Sequence, residues 1–132
     1  MPRFVLLRHE CPPAFGKPSH WDFMLEWGDA LRTWNLFDLP IAWADTLEVA
    51  GEAETVTAIS VTDHRIDYLD YEGPVSGDRG FVQQCDTGTY QLLDQSAAQL
   101  EVLLNGQHLH GKVRLEVSSA NANAPWLLTI ER

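Results

Sequence analysis

Phe4-Val5-Leu6-Leu7 is a short unbroken apolar run, and Asp22 to Trp27 alternates polar and apolar residues before Gly28-Asp29, the pattern of a strand entering a tight turn. Leu31 to Leu36 resumes the alternation, so the two stretches predict a β-hairpin. Between the first run and this hairpin, Glu10 to Ser19 holds Pro12, Pro13, Gly16 and Pro18. Proline fixes φ and lacks a backbone donor, so a loop is expected there. Thr55 to Val61 alternates and is β-branched, and Thr89 to Leu93 follows the turn-like Asp86-Thr87-Gly88; both predict strands. Leu100 to Leu104, Asn105-Gly106, Leu109 and Val113 to Val117 predict a second hairpin, and Trp126 to Ile130 a closing strand after the polar loop Ser118 to Pro125. Helix candidates are short: Leu47 to Ala53 and Ser96 to Leu100. About eight strand candidates separated by turn signals predict a mainly β fold, a small antiparallel barrel or sandwich with one or two short helices. The expected core is Val5, Leu7, Phe23, Leu25, Trp34, Val56, Ile59, Leu103, Leu115, Leu127 and Ile130. The tryptophans read as core packing, while Trp21 or Trp43, if exposed, offers a surface for base stacking.

The 132 residues make one expected domain, 1–132, long enough to build a core without disulfide staples. No run approaches the roughly 20 apolar residues of a spanning helix, and the amino terminus meets charge before a signal core develops, so a cytoplasmic protein is expected. On that basis Cys11 and Cys85 are expected as free thiols. The net charge of −10 is uneven: residues 41–72 carry eight acids (Asp45, Glu48, Glu52, Glu54, Asp63, Asp67, Asp70, Glu72) against Arg65 alone. That balance argues against broad duplex binding, which rests on Lys and Arg displacing counterions, and leaves room for a small site that reads one phosphate.

The chemistry-bearing residues cluster early. His20 and Asp22 lie two apart on a predicted strand, hence on one face, with His9 upstream. Two imidazoles and a carboxylate suit Mn²⁺, Zn²⁺ or Fe²⁺ with positions left open for water or substrate. The spacing is equally that of a surface histidine beside a solvated carboxylate. Asp63-His64, followed by Tyr68 and Tyr71-Glu72-Gly73, places at the end of a strand pattern an imidazole able to give a proton or hydrogen bond to a phosphate; the alternative is a loop histidine paired with Asp63 or Asp67. His108 and His110, next to the Asn-Gly turn, read as solvated.

Taken in order, these segments resemble the 3'-phosphoesterase domain of bacterial DNA ligase D. The family's early strand ending in histidine, its loop and its His-Tyr-Asp-Phe-Arg-Leu-Glu segment are similar to His9, the proline-rich loop and His20-Trp21-Asp22-Phe23-Met24-Leu25-Glu26. Its Val-x-Asp-His, tyrosine and Phe-Glu-Gly are similar to Val61-Thr62-Asp63-His64, Tyr68 and Tyr71-Glu72-Gly73. Asp86 to Tyr90, Leu104 to Lys112 and Trp126-Leu127-Leu128 match further family patterns. The resemblance implies a small closed antiparallel β-barrel with a Mn²⁺-dependent site, or one for another divalent ion such as Zn²⁺, that removes a 3' ribonucleoside and then a 3' phosphate from DNA. It implies His9, His20 and Asp22 as metal ligands, His64 as the residue at the scissile phosphate and Tyr68 as its support. Implied partners are DNA 3' ends, or another phosphoester, and ligase D type repair proteins.

The chain departs from the family at two cationic positions. Met24 stands where the family has a phosphate-binding arginine, and Asp38 where it tends to have a lysine after the hairpin tryptophan. Charge-assisted contacts contribute about 1.5–3 kcal/mol each, so their loss bears on activity; Arg32, Arg65 and Arg79 are the candidate replacements. The loop from His9 to His20 is longer than the family's, and the segment Gly77 to Gly80 is shorter. A metal-dependent phosphoesterase is therefore weighed against a non-catalytic metal-binding or partner-binding descendant, and against a cupin-like metal oxygenase.

Overall fold

The computed structural model describes residues 1–121 and 124–131. Nine strands appear in the order β1 (Arg3–Glu10), β2 (His20–Trp27), β3 (Ala30–Leu36), β4 (Thr55–Arg65), β5 (Gly73–Pro74), β6 (Phe81–Gln95), β7 (Gln99–Gly106), β8 (His110–Val117) and β9 (Trp126–Glu131). Their pairing order is β1-β2-β3-β4-β9-β8-β7-β6, and β1 pairs back onto β6, so eight antiparallel strands close a barrel and the two-residue β5 hangs on β6. Closure leaves no free edge on the eight strands, which removes a template for aggregation.

Why β1 is an unbroken apolar run follows from this placement. Phe4 and Leu6 enter the barrel interior with Phe23, Leu25, Trp34 and Leu128, whereas Val5 and Leu7 point outward into a second apolar cluster with Met24, Leu31, Leu69, Val75 and Val82. A strand buried on both faces has no polar side to alternate with. The outer cluster is roofed by a one-turn 3-10 segment, Ile66–Leu69, and by the turn that follows β5.

Several expectations need correction. The helix lies at α1 (Ile41–Leu47) rather than 47–53: Pro40 starts it, its carbonyl accepting from Ala44, and Glu48 at φ 59° ends it. Ser96 to Leu100 is a hairpin turn into β7, closed by the Ser96 N–H on the Gln99 carbonyl. Asp86-Thr87-Gly88 is not a turn but the middle of β6. Gly88 serves close approach, since a Cβ there would sit 2.3 Å from the Asn105 carbonyl oxygen. The Glu10 to Ser19 loop contains a 3-10 turn, Pro13–Phe15, with proline at its start.

Of the expected core, Ile59 and Leu103 face solvent and Leu127 is half-buried; the adjacent Ala58, Val102 and Leu128 point inward instead. Trp43 is buried against Phe23, which removes it as a stacking surface, and the half-buried Trp21 is covered by the Arg8 guanidinium. Cys11 and Cys85 are unpaired, and among the described residues no helix is long and apolar enough to cross a membrane. Residues 122 and 123 of the expected Ser118 to Pro125 loop lie outside the described residues.

Candidate metal centre

The outward face of the early strands carries the polar residues singled out in the sequence. In the β1–β2 ladder His9 lies opposite His20 and Leu7 opposite Asp22, and on β3 Asn35 lies opposite Asp22. Cross-strand partners share a face, so the spacing of two in His20 and Asp22 and the register of β1 bring three donors together. His9 Nδ1 is 3.6 Å from Asp22 Oδ2, and His20 Nε2 is 3.2 Å from Asp22 Oδ1. His20 and Asp22 are almost fully buried.

The far nitrogen of each ring is already committed. His20 Nδ1 lies 2.9 Å from the Pro18 carbonyl and His9 Nε2 lies 2.7 Å from the Arg79 carbonyl. A carbonyl only accepts, so these nitrogens carry the protons, and in the neutral rings Nε2 of His20 and Nδ1 of His9 are bare lone pairs facing a carboxylate. With the rings in these tautomers, two nitrogen lone pairs and a carboxylate converge, a set that could hold a cation. Donor separations of about 3.0–3.4 Å are what bonds of about 2.1 Å produce around one divalent ion. Histidines held by a carbonyl on the far nitrogen are the usual outer arrangement of such sites.

Further side chains hold the donors in place. Asn35 donates from Nδ2 to Asp22 Oδ1, and Lys17 Nζ donates in turn to Asn35 Oδ1. Gly80 allows the Arg79 carbonyl to reach His9: its φ is +84°, and a Cβ there would sit 1.7 Å from the Glu10 carbonyl oxygen, so no other residue lets this turn lie on the end of β1. Burial pushes the Asp22 carboxyl up, but the contacts with His20 and His9 outweigh it and hold the group well below the usual carboxylate range. The Asp22 carboxylate raises the His9 imidazole above its usual value, against the opposing effect of burial.

A cleft of about 330 Å³ opens over this set, lined by His9, Asp22, Met24, Thr62, Asp63, His64, Arg65, Tyr68, Val75, Arg79 and Val82. The late residues His64 and Tyr68 therefore line the same cleft as His9 and Asp22, with the His64 and Tyr68 rings edge to face at 5.7 Å between centroids. His64 Nδ1 lies 3.0 Å from the Thr62 carbonyl, so it too carries its proton there and leaves Nε2 for a ligand. His108 and His110 are exposed and far along the chain on the β7–β8 turn. Asp38 does not line the cleft; its carboxylate accepts the Leu39 N–H. Of the candidate replacement cations, Arg65 and Arg79 line the cleft and Arg32 does not, lying instead over Trp27 and Trp34.

Residues missed in the sequence include Asn35, whose signal was a polar residue on the Asp22 face of an otherwise apolar strand end. Cys11, expected as a free thiol, has its Sγ 4.0 Å from His20 Nδ1, and His9, Cys11 and His20 each place one ligand atom within 4.8 Å of the other two. The His9-x-Cys11 spacing was the available signal. That grouping competes with the carboxylate set at His20, because His20 Nδ1 already serves the Pro18 carbonyl.

No curated protein matches the chain. The family model of the DNA Ligase D 3'-phosphoesterase domain matches residues 14–117, a stretch that contains His20, Asp22, His64 and Tyr68 and begins after His9. A match over more than three quarters of the chain shows that this chain belongs to the DNA ligase D 3'-phosphoesterase domain family.

Proposed function

We propose that this chain, as a single domain over 1–132, is a metal-dependent phosphoesterase that heals DNA 3' ends, removing a terminal 3' ribonucleoside and then the 3' phosphate. One observation carries the reading: two imidazoles whose far nitrogens are committed to backbone carbonyls turn bare nitrogens toward one buried carboxylate. His9, His20 and Asp22 are the residues that would hold the ion, Mn²⁺ first and Zn²⁺ as the other fit. When bound, a divalent cation there supplies Lewis-acid polarisation of a phosphoryl oxygen.

The chain's own groups do the rest. His64, anchored by Thr62, presents Nε2 to the cleft, where in its protonated form it donates to a phosphate oxygen as charge develops or gives its proton to the leaving oxygen. Tyr68 fixes that ring edge-on and so limits its rotation. Asn35 keeps Asp22 aimed, and the apolar floor of Met24, Val75 and Val82 excludes water beneath the reacting group. The setting is the cytoplasm, in the company of ligase D type repair proteins.

The test is turnover of labelled primer-templates ending in a 3' phosphate or one 3' ribonucleotide, with Mn²⁺. The native protein is expected to cleave both, and His20→Ala and Asp22→Ala to abolish cleavage. Folded, Mn²⁺-loaded native protein without turnover contradicts the reading. That outcome belongs to a second reading, a metal-binding or partner-binding module, which one observation favours: Met24, where the related domains carry an arginine, is packed into the apolar cluster and offers no donor.

A further inference from the structure

The cations of this acidic chain divide by what holds them. Arg3, Arg8, Lys112 and Arg114 each sit on a carboxylate, and Arg32 lies over indole rings. The two arginines that line the cleft have neither kind of partner. Among the described residues Arg65, exposed at the end of β4, meets no carboxylate, ring or acceptor. Arg79 bonds only neutral acceptors, from Nε to the Ser76 carbonyl at 2.6 Å and from Nη2 to Ser76 Oγ at 3.1 Å. Those two bonds fix the guanidinium plane and leave its remaining N–H groups for a ligand.

Two guanidinium groups without a carboxylate partner offset the two carboxylates that line the same cleft, in a molecule of net charge −10. They also answer a local need, because Asp22 and Asp63 line the same cleft and repel any anion that enters it. A guanidinium fork matches phosphate geometry with paired N–H groups, which a thioether does not. Both arginines are carried by backbone that already positions the imidazoles: Arg65 follows His64 directly, and the Arg79 carbonyl holds His9. We propose that Arg65 and Arg79 form the phosphate clamp of this cleft, supplying from β4 and from the turn after β5 the cationic contacts that Met24 does not. The inference rests on the phosphoesterase reading and names the residues that grip its substrate.

The experiment compares native protein, Arg65→Ala, Arg79→Ala, the double variant and Arg65→Lys, all Mn²⁺-loaded, by calorimetric titration with inorganic phosphate and by turnover of a 3'-phosphorylated primer. Each single alanine is expected to weaken phosphate binding about tenfold and the double about a hundredfold, with Arg65→Lys between native and alanine. The primer KM is expected to rise while kcat changes little, and Mn²⁺ affinity to stay unchanged. Neither arginine supports the barrel core, so folding is expected to survive every change. Phosphate affinity in the double variant equal to native, or native protein that binds no phosphate, overturns the clamp. Native protein that binds phosphate through these arginines without turning over the primer contradicts the phosphoesterase reading alone; turnover indifferent to both arginines contradicts the clamp alone.

Discussion

The inner and outer faces of β1 and β2 are built by alternate residues of the same two strands and do opposite work. Inward, Phe4, Leu6, Phe23 and Leu25 pack into the apolar cluster of the barrel, which closes over them. Outward, Val5, Leu7 and Met24 form a second apolar cluster that ends in His9, His20 and Asp22. The inner face gains its stability from area removed from water, about 1.5–3 kcal/mol for each large side chain fully buried. On the outer face the same burial strengthens electrostatics: burial pushes the Asp22 carboxyl up, and its contacts with His20 and His9 hold it below the usual carboxylate range. A site of this kind is a core in which a few positions have been made polar.

The comparison is broken most severely by Asp22→Ala. Metal binding and turnover are expected to fall by more than about a thousandfold, while the barrel interior keeps its near-ultraviolet circular dichroism, because Asp22 stands outside the inner cluster. Unfolding of that variant would mean that the two faces are one cooperative unit. Phe23→Ala, on the opposite face one residue away, is expected to lower stability by about 3–5 kcal/mol in a denaturant titration. Mn²⁺ affinity measured on its folded fraction should remain near native.

Asn35→Ala removes a hydrogen bond to Asp22 without removing a donor to the ion, and is expected to weaken Mn²⁺ affinity about 10–100-fold in a fluorescence-monitored titration. A native affinity in that variant would show that Asp22 needs no such support. The mildest change is Tyr90→Phe, which deletes the 2.6 Å hydrogen bond to the Glu26 carbonyl and is expected to cost about 1 kcal/mol. Burial pushes the Tyr90 hydroxyl up to about 12 from an ordinary value of 10. A raised value means that stability is full below pH 10 and is lost as pH rises toward 12, when the unfolded chain ionises first. Alkaline melts of the Phe variant are expected to lose that dependence.

Much of the fold was legible because alternation survives wherever one face of a strand is exposed. The hairpin across Gly28-Asp29 and the strands at 55–61 and 126–130 follow from it, as does the β7–β8 hairpin, though its turn falls at 107–109 and Asn105-Gly106 ends β7. The inner face could be misread where both neighbours are apolar, as in Leu127-Leu128 and Leu103-Leu104, since hydrophobicity alone does not say which of two leucines points inward. Short helices were the weakest point: Ile41 to Leu47 is too brief for periodicity to show, and the proline that begins it was the better signal. At the site, His20 and Asp22 could be paired from spacing two along one strand and His9 set beside them as a second imidazole, while His64 joined them through the family resemblance. The hold of the Arg79 carbonyl on His9 and that of Asn35 on Asp22 were not legible. The first depends on β1 pairing with β6 and the second on the β2–β3 register, neither of which local pattern states.

The central claim is that β1 and β2 assemble one cation site from His9, His20 and Asp22, and anomalous diffraction from Mn²⁺-soaked crystals tests it most directly. The expected result is a single strong peak bonded to His9 Nδ1, His20 Nε2 and an Asp22 oxygen, open toward His64 and the cleft. A peak on Cys11 and His20 Nδ1, with Pro18 released, or no peak at these residues at saturating Mn²⁺, would contradict it.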